Sequence, residues 1–350
     1  EKLFKTNKLM FGLVLAGMTG AWSLVSATES KQEVKRVFTS QAAVLAKHAP
    51  VMAIGNNGQQ MIAVGARGHV LTSESKTDWS QILVPTDVLL TDVEFFGDEN
   101  GWSVGHDATI LHTNDGGVSW AIQQQIPALD RPLLDVDFVS PSRGFAIGAY
   151  GMFYGTVDGG KTWTKQFLQS LLPEEDVEYL AEVREESEKD YQSEIASILP
   201  HFNKIIELND QRLMLVGELG LIAFSNDLGK SWQRIENVYE GSFFTGAQLS
   251  SGAILVGGLR GNMFRSIDNG VNWSKVDLGN SNSINDIYQL KNGDVLVAQN
   301  NGTLLISKDD GVNFTQHSLQ KGQDLMDIHQ IQNQIWLAGS KGLNVIKGSK

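Results

Sequence analysis

"TNDGGVSW", residues 113–120, returns as "TVDGGKTW" at 156–163. "SNDLGKSW" (225–232), "SIDNGVNW" (266–273) and "SKDDGVNF" (307–314) keep the same pattern, Ser/Thr-x-Asp-x-Gly-x-x-Trp/Phe. A turn and its aromatic anchor, written five times, mark one small unit built repeatedly. In such a stretch the Asp hydrogen-bonds its own turn, the Gly takes a positive φ, and the aromatic enters the next strand to pack. Five of the eight Trp residues hold this aromatic position or, as Trp79 does, its degenerate counterpart. The pattern reads as architecture rather than as catalytic or calcium-binding acids. Asp309 and Asp310 lack the remaining ligand spacing of a calcium loop.

A second mark lies upstream of each turn. "IAVGARGHVL", "WSVGHDATIL", "FAIGAYGMFY", "MLVGELGLIA", "LVGGLRGNMF", "VLVAQNNGTLL" and "IWLAGSKGLNVI" align on Gly68, Ala108, Gly151, Gly220, Gly261, Gly302 and Gly342. The gaps are 40, 43, 69, 41, 41 and 40 residues. Each copy divides into four short strands; in the third they are "LLDVDFV", "GFAIG", "MFYGTV" and "TWTKQF". Four strands at this period give an all-β chain, a seven-bladed β-propeller over residues 50–350. A β-solenoid is the rival, but its coils are shorter and lack four strands per unit.

The seventh copy reaches Lys350 before a fourth strand can form. Residues 28–49 precede the first blade, and "VKRVFTS" (34–40) within them has strand character. This segment is expected to supply the closing strand of blade 7 and so remove an open edge.

The long gap places an insertion between blades 3 and 4, residues 171–200, with ten acids against two bases. Pro173 followed by Glu174, Glu175 and Asp176 is a helix start, with acids at the positive end of the dipole. Val177, Leu180, Arg184, Tyr191, Ile195 and Ile198 fall close to helical spacing, and Pro200 ends the run. One or two amphipathic helices are expected, as a solvated flap or as a docking element.

Lys2, Lys5 and Lys8 precede the apolar run 9–21, and "VSA" (25–27) offers small residues for cleavage. Residues 1–27 therefore read as a secretory signal peptide. The run is shorter than the ~20 residues that span a bilayer. The expected product is exported, periplasmic (lumenal if the host is photosynthetic), with no membrane insertion after cleavage. It has no cysteine to form disulfides or carry a lipid. The formal net charge of −12 for the whole chain argues against nucleic acid and anionic membrane surfaces as partners. A monomer is expected.

No HExxH helix is present, and the one Gly-x-Ser-x-Gly match, "GWSVG" (101–105), falls within a strand of the second repeat copy and not at a strand-to-helix elbow. His106 and His112, six apart, read as structural, so no catalytic residue, metal or cofactor is expected. The turns between second and third strands should emerge on one face with the loops between blades. They present Arg67, His106, Asp107, Tyr150, Glu218, Arg260, Asn301 and Lys341 around the channel mouth, and these are the candidate partner-binding residues.

The repeat region, about residues 45–347, resembles the photosystem II stability/assembly factor family. The likeness rests on "DVDFVSPSRGFAIGAYGMFYGTVDGGKTW" (135–163) and "TDVEFFGDENGWSVGHDATILHTNDGGVSW" (91–120). It implies an exported, non-catalytic seven-bladed propeller that serves as scaffold or chaperone for a membrane or envelope complex through a protein partner. It also implies partner-binding arginines on one face, which "GARGHVL" (65–71) and "GGLRGNMF" (257–264) carry over to Arg67 and Arg260. Asp107, Tyr150, Leu219 and Asn301 depart from that pattern, and the acidic insertion resembles members from non-photosynthetic proteobacteria. The alternative is a carbohydrate-binding or sialidase-like propeller, since sialidases share the Asp-box turn. Their chemistry needs an arginine clamp, a Tyr nucleophile and acid partners, and "MFRS" (263–266) is a poor match for the opening arginine stretch.

Overall fold

The computed structural model of the chain describes residues 38–73, 78–319 and 322–347. The signal reading at 1–27 lies outside them. Among the described residues six sheets have four antiparallel strands and one has three, every strand pairing with its neighbour in sequence. The result is a seven-bladed propeller. The innermost strands are Val51–Asn56, Leu90–Phe96, Leu133–Phe138, Phe202–Glu207, Phe243–Gln248, Ile284–Gln289 and Leu325–Ile331.

Second strands such as Met61–Gly65, Gly144–Gly148 and Leu213–Gly217 are buried at every residue. A sheet sandwiched between two others has no wet face, so its middle strands read as continuous apolar runs rather than alternating ones. The core accordingly lies between blades. Ile62 and Val64 of blade 1 pack with Leu90, Val93 and Trp120 of blade 2. Phe145 and Phe153 of blade 3 pack with Phe202, Leu215 and Trp232 of blade 4.

The repeated turn is built as its letters suggest. In blade 2, Thr113 Oγ1 donates to Asp115 Oδ1 at 2.7 Å and accepts from Gly117 N. Asp115 also accepts from the backbone N–H and the hydroxyl of Ser119. Asp158, Asp227, Asp268 and Asp309 repeat the arrangement. Trp120 then stands edge-on to Phe95 at 6.1 Å.

All seven innermost strands carry a bulge at their second residue. An extra residue in one strand re-aims the side chains beside it. Here it turns the second and third residues of each strand, and not only alternate ones, toward the axis.

The ring closes through its core and through side-chain bonds between successive innermost strands. Trp79 of blade 1 meets Trp336 of blade 7 edge-on at 5.3 Å. The seventh sheet has three strands among the described residues. Of the segment 28–49 expected to complete it, 28–37 lie outside the described residues and 38–40 form no strand. Ser40 instead donates its N–H to Val84 O of blade 1 and accepts from Val84 N through Oγ. Gln81 bonds both Gln41 and Ala43, so residues 40–43 follow the outer strand of blade 1. Among the described residues of the segment, the turn after them reaches blade 7, where Lys47 O accepts from Leu343 N.

The insertion between blades 3 and 4 forms two helices, α1 (Glu174–Glu186) and α2 (Glu188–Glu194). Pro173 caps α1, and Ser187 breaks the pair, its hydroxyl accepting from Asp190 N. Leu180 and Leu199 are buried, and Ile198 packs on the core of blades 3 and 4. Arg184, expected near the apolar stripe, is exposed and paired with Glu188 at 3.2 Å.

Candidate functional site

Each second-to-third-strand turn folds back on the residue that precedes its own innermost strand. Ala66 N bonds Pro50 O, Ala149 N bonds Pro132 O and Glu218 N bonds His201 O. The approach is close: a Cβ on Gly148 would sit 2.3 Å from Pro132 O, which is why glycine stands there. Arg67, Asp107, Tyr150, Leu219, Arg260 and Asn301 form the tips, all at positive φ. Arg67, Tyr150, Arg260, Asn301 and Lys341 are exposed, while His106, Asp107 and Glu218 are half-buried.

The structure joins two of these tips and adds residues the sequence reading missed. The Arg131 guanidinium lies 4.4 Å over the Tyr150 ring, and Tyr150 meets the His201 ring edge-on at 4.7 Å. His201 Nδ1 is 3.5 Å from Glu218 Oε2. Arg131 also donates to Ala196 O, tying the insertion to this corner of the face. A stacked cation over an aromatic ring contributes about 0.5–1 kcal/mol where solvent reaches it. Arg67 and Arg260 stand apart on blades 1 and 5. His112 lies against the Trp102 ring at 5.0 Å, and burial lowers its pKa.

Inside the ring of turns lies a cavity of about 300 Å³ at the axis. Its rim is the bulged position of the innermost strands, with Met52, Leu134, Phe244 and Met326 as its apolar members. One step deeper come Ala53, Asp92, Asp135, Lys204, Thr245, Asp286 and Asp327, one from each blade. Lys204 Nζ sits 2.7 Å from Asp135 and 4.0 Å from Asp92. Burial alone would lower the Lys204 pKa, but Asp135 and Asp92 outweigh it and hold the ammonium well above its ordinary value.

The four aspartates also couple blades. Asp92 Oδ2 accepts from Val136 N, Asp135 from Ile205 N, Asp286 from Ile328 N and Asp327 from Ile54 N, each on the next innermost strand. Deeper still, burial and then neighbouring aspartates push Glu94 and Asp137 well above the usual carboxylate range. Among the described residues no three His, Asp, Glu or Cys side chains come together as a metal site.

The sequence model of the family described as "Photosynthesis system II assembly factor YCF48" matches residues 71–131 and 123–274, more than half of the chain. The chain belongs to the YCF48 family. A curated relative, "Photosystem II assembly protein Ycf48" of Synechococcus sp. (strain JA-2-3B'a(2-13)), is 41% identical over 54 residues, 15% of this chain and 16% of that protein. The chain thus aligns with much less than two thirds of that relative's length. A solved structure described as "YCF48 bound to D1 peptide" superposes with a TM-score of 0.65 at 20% identity, over 89% of this chain and 97% of that one. Virginiamycin B lyase from Staphylococcus aureus gives 0.66 at 10% identity, over 88% and 97%. At such identities both likenesses speak for the fold alone.

For this YCF48-family chain, the channel aspartates had a signal in the sequence. "TDV", "LDV", "NDI" and "MDI" open four of the seven copies, with "NKI" breaking the series at Lys204. Arg131 and His201 had none, because they sit in loops outside the repeat.

Proposed function

We propose that this chain is a non-catalytic assembly factor that holds a polypeptide segment of a membrane or envelope protein against the turn-bearing face of its propeller. One observation carries the reading: the tips, the loops between blades, the insertion and the axial cavity all adjoin one face. There, exposed Tyr150 and Leu219 on adjacent blades 3 and 4 share the face with Arg67, Arg260 and Lys341 of blades 1, 5 and 7. Such a mix of aromatic, aliphatic and arginine side chains suits protein recognition. Membership of the YCF48 family supports it, as does the name of the neighbour solved with a D1 peptide. The signal reading of residues 1–27 supports work outside the cytoplasm. No helix among the described residues is long and apolar enough to cross a membrane.

Crosslinking capture from envelope extracts tests it. Wild type should retain a defined membrane-protein partner, and Arg67→Ala with Arg260→Ala, or Tyr150→Ala alone, should release it. An unchanged partner set would reject this face. Turnover of a fluorogenic sialoside that Tyr150→Phe abolishes would reject the binding role altogether.

A further inference from the structure

The axial cavity is charged unevenly. Its cation, Lys204, leans toward blades 2 and 3, where Asp135 and Asp92 hold it. On the far side, Asp286 of blade 6 and Asp327 of blade 7 have no cationic group within 4.0 Å among the described residues. Each accepts a backbone N–H from the next blade, Asp286 from Ile328 and Asp327 from Ile54. The adjoining ring position is Ala53, so a methyl group stands where five of the other six blades place Asp or Lys and blade 5 places Thr245. Below, Glu94 Oε2 and Asp137 Oδ2 are buried without a hydrogen-bond partner among the described residues. Asp286 and Asp327 thus stand at the wall of a small acidic socket whose rim is largely apolar.

We infer that this socket is a subsite for one arginine side chain of the polypeptide partner, its methylenes against Met52, Phe244 and Met326 and its guanidinium against Asp286 and Asp327. The inference rests on the reading of the chain as a polypeptide-binding scaffold and names the chemistry of the bound segment. A guanidinium presents several N–H donors in a plane and can face two carboxylates at once. Its stem is apolar, which suits a methionine and phenylalanine rim. A cavity of about 300 Å³ is small for a folded element, since a helix with its side chains is about 10–12 Å across. Charge focused by low-dielectric walls draws a cation in and excludes an anion.

The test uses the mature chain and a blocked peptide, acetyl-Ser-Leu-Arg-Leu-Ser-amide, beside its twin with citrulline in place of arginine. Titration calorimetry should show the arginine peptide binding about tenfold more tightly or better, a preference that salt weakens. Ala53→Lys puts an ammonium into the space and leaves both carboxyl clamps intact; it should erase the preference. Asp286→Asn with Asp327→Asn should make the two peptides equal. If that pair does not fold, Ala53→Lys still decides. Equal binding of both peptides by wild type, or a preference that survives Ala53→Lys, overturns the subsite. Capture of a membrane partner that persists despite equal peptide binding rejects the subsite alone; loss of capture rejects the scaffold reading.

Discussion

Asp327 Oδ2 accepts the backbone N–H of Ile54 at 2.6 Å, although 273 residues separate the two in sequence. The same bond recurs between blades 2 and 3, 3 and 4, and 6 and 7, so its last copy fastens the end of the ring to its beginning. The aspartate that contacts the cavity is thus also a closing element. Site and fold share one side chain.

Asp327→Ala should therefore cost about 1–3 kcal/mol, because it leaves the Ile54 N–H buried without an acceptor. Asp327→Asn retains an acceptor and should cost much less. Urea unfolding of the two variants beside wild type checks this. Equal losses would mean that the negative charge, and not the bond to Ile54, matters.

Stability should fall toward both ends of the pH scale, for separate reasons. Hydrogen bonds from Ser231 and Asn313 hold the Asp227 and Asp309 carboxyls at about 2. A lowered folded pKa stabilises above the unfolded value of 3.8, and that contribution goes as pH falls through about 2. Glu94 and Asp137 are raised above 4.5 and 3.8, chiefly by burial. They favour the fold while protonated and weaken it as pH climbs from those values toward their folded ones. Glu94→Gln should thus stabilise the protein by about 1 kcal/mol or more at pH 8 and hardly at all at pH 4. Chemical unfolding at the two pH values measures the difference. An equal effect at both would show that ionisation in the channel is not what limits stability.

Gly151 has φ +66°, and a Cβ there would lie 2.3 Å from the Leu199 side chain. Gly151→Ala should push the end of the insertion off blade 3 at a cost of roughly 2 kcal/mol, combining backbone strain with overpacking. Hydrogen exchange should quicken in residues 174–199 and change little in blade 6. Uniform quickening over all blades would show that the insertion is part of the cooperative core and not a docked element.

Much of this architecture was legible in the chain itself. Period, turn chemistry and helix signals act over a few residues, so Asp115 with Ser119, or Pro173 with Glu174, announce their structures locally. The seven blades, five of the repeated turns and the place of the helical insertion follow from such short-range chemistry.

The socket and the corner beside it were settled only in three dimensions. Asp92, Asp135, Lys204, Asp286 and Asp327 meet because a bulge in each innermost strand turns two successive side chains inward and the closing ring brings the strands together. Arg131, Tyr150 and His201 likewise meet from separate loops and a turn, at distances set by blade packing. Local sequence specifies the conformation of each unit, but the contacts between units depend on where the ring places residues that are tens to hundreds of positions apart.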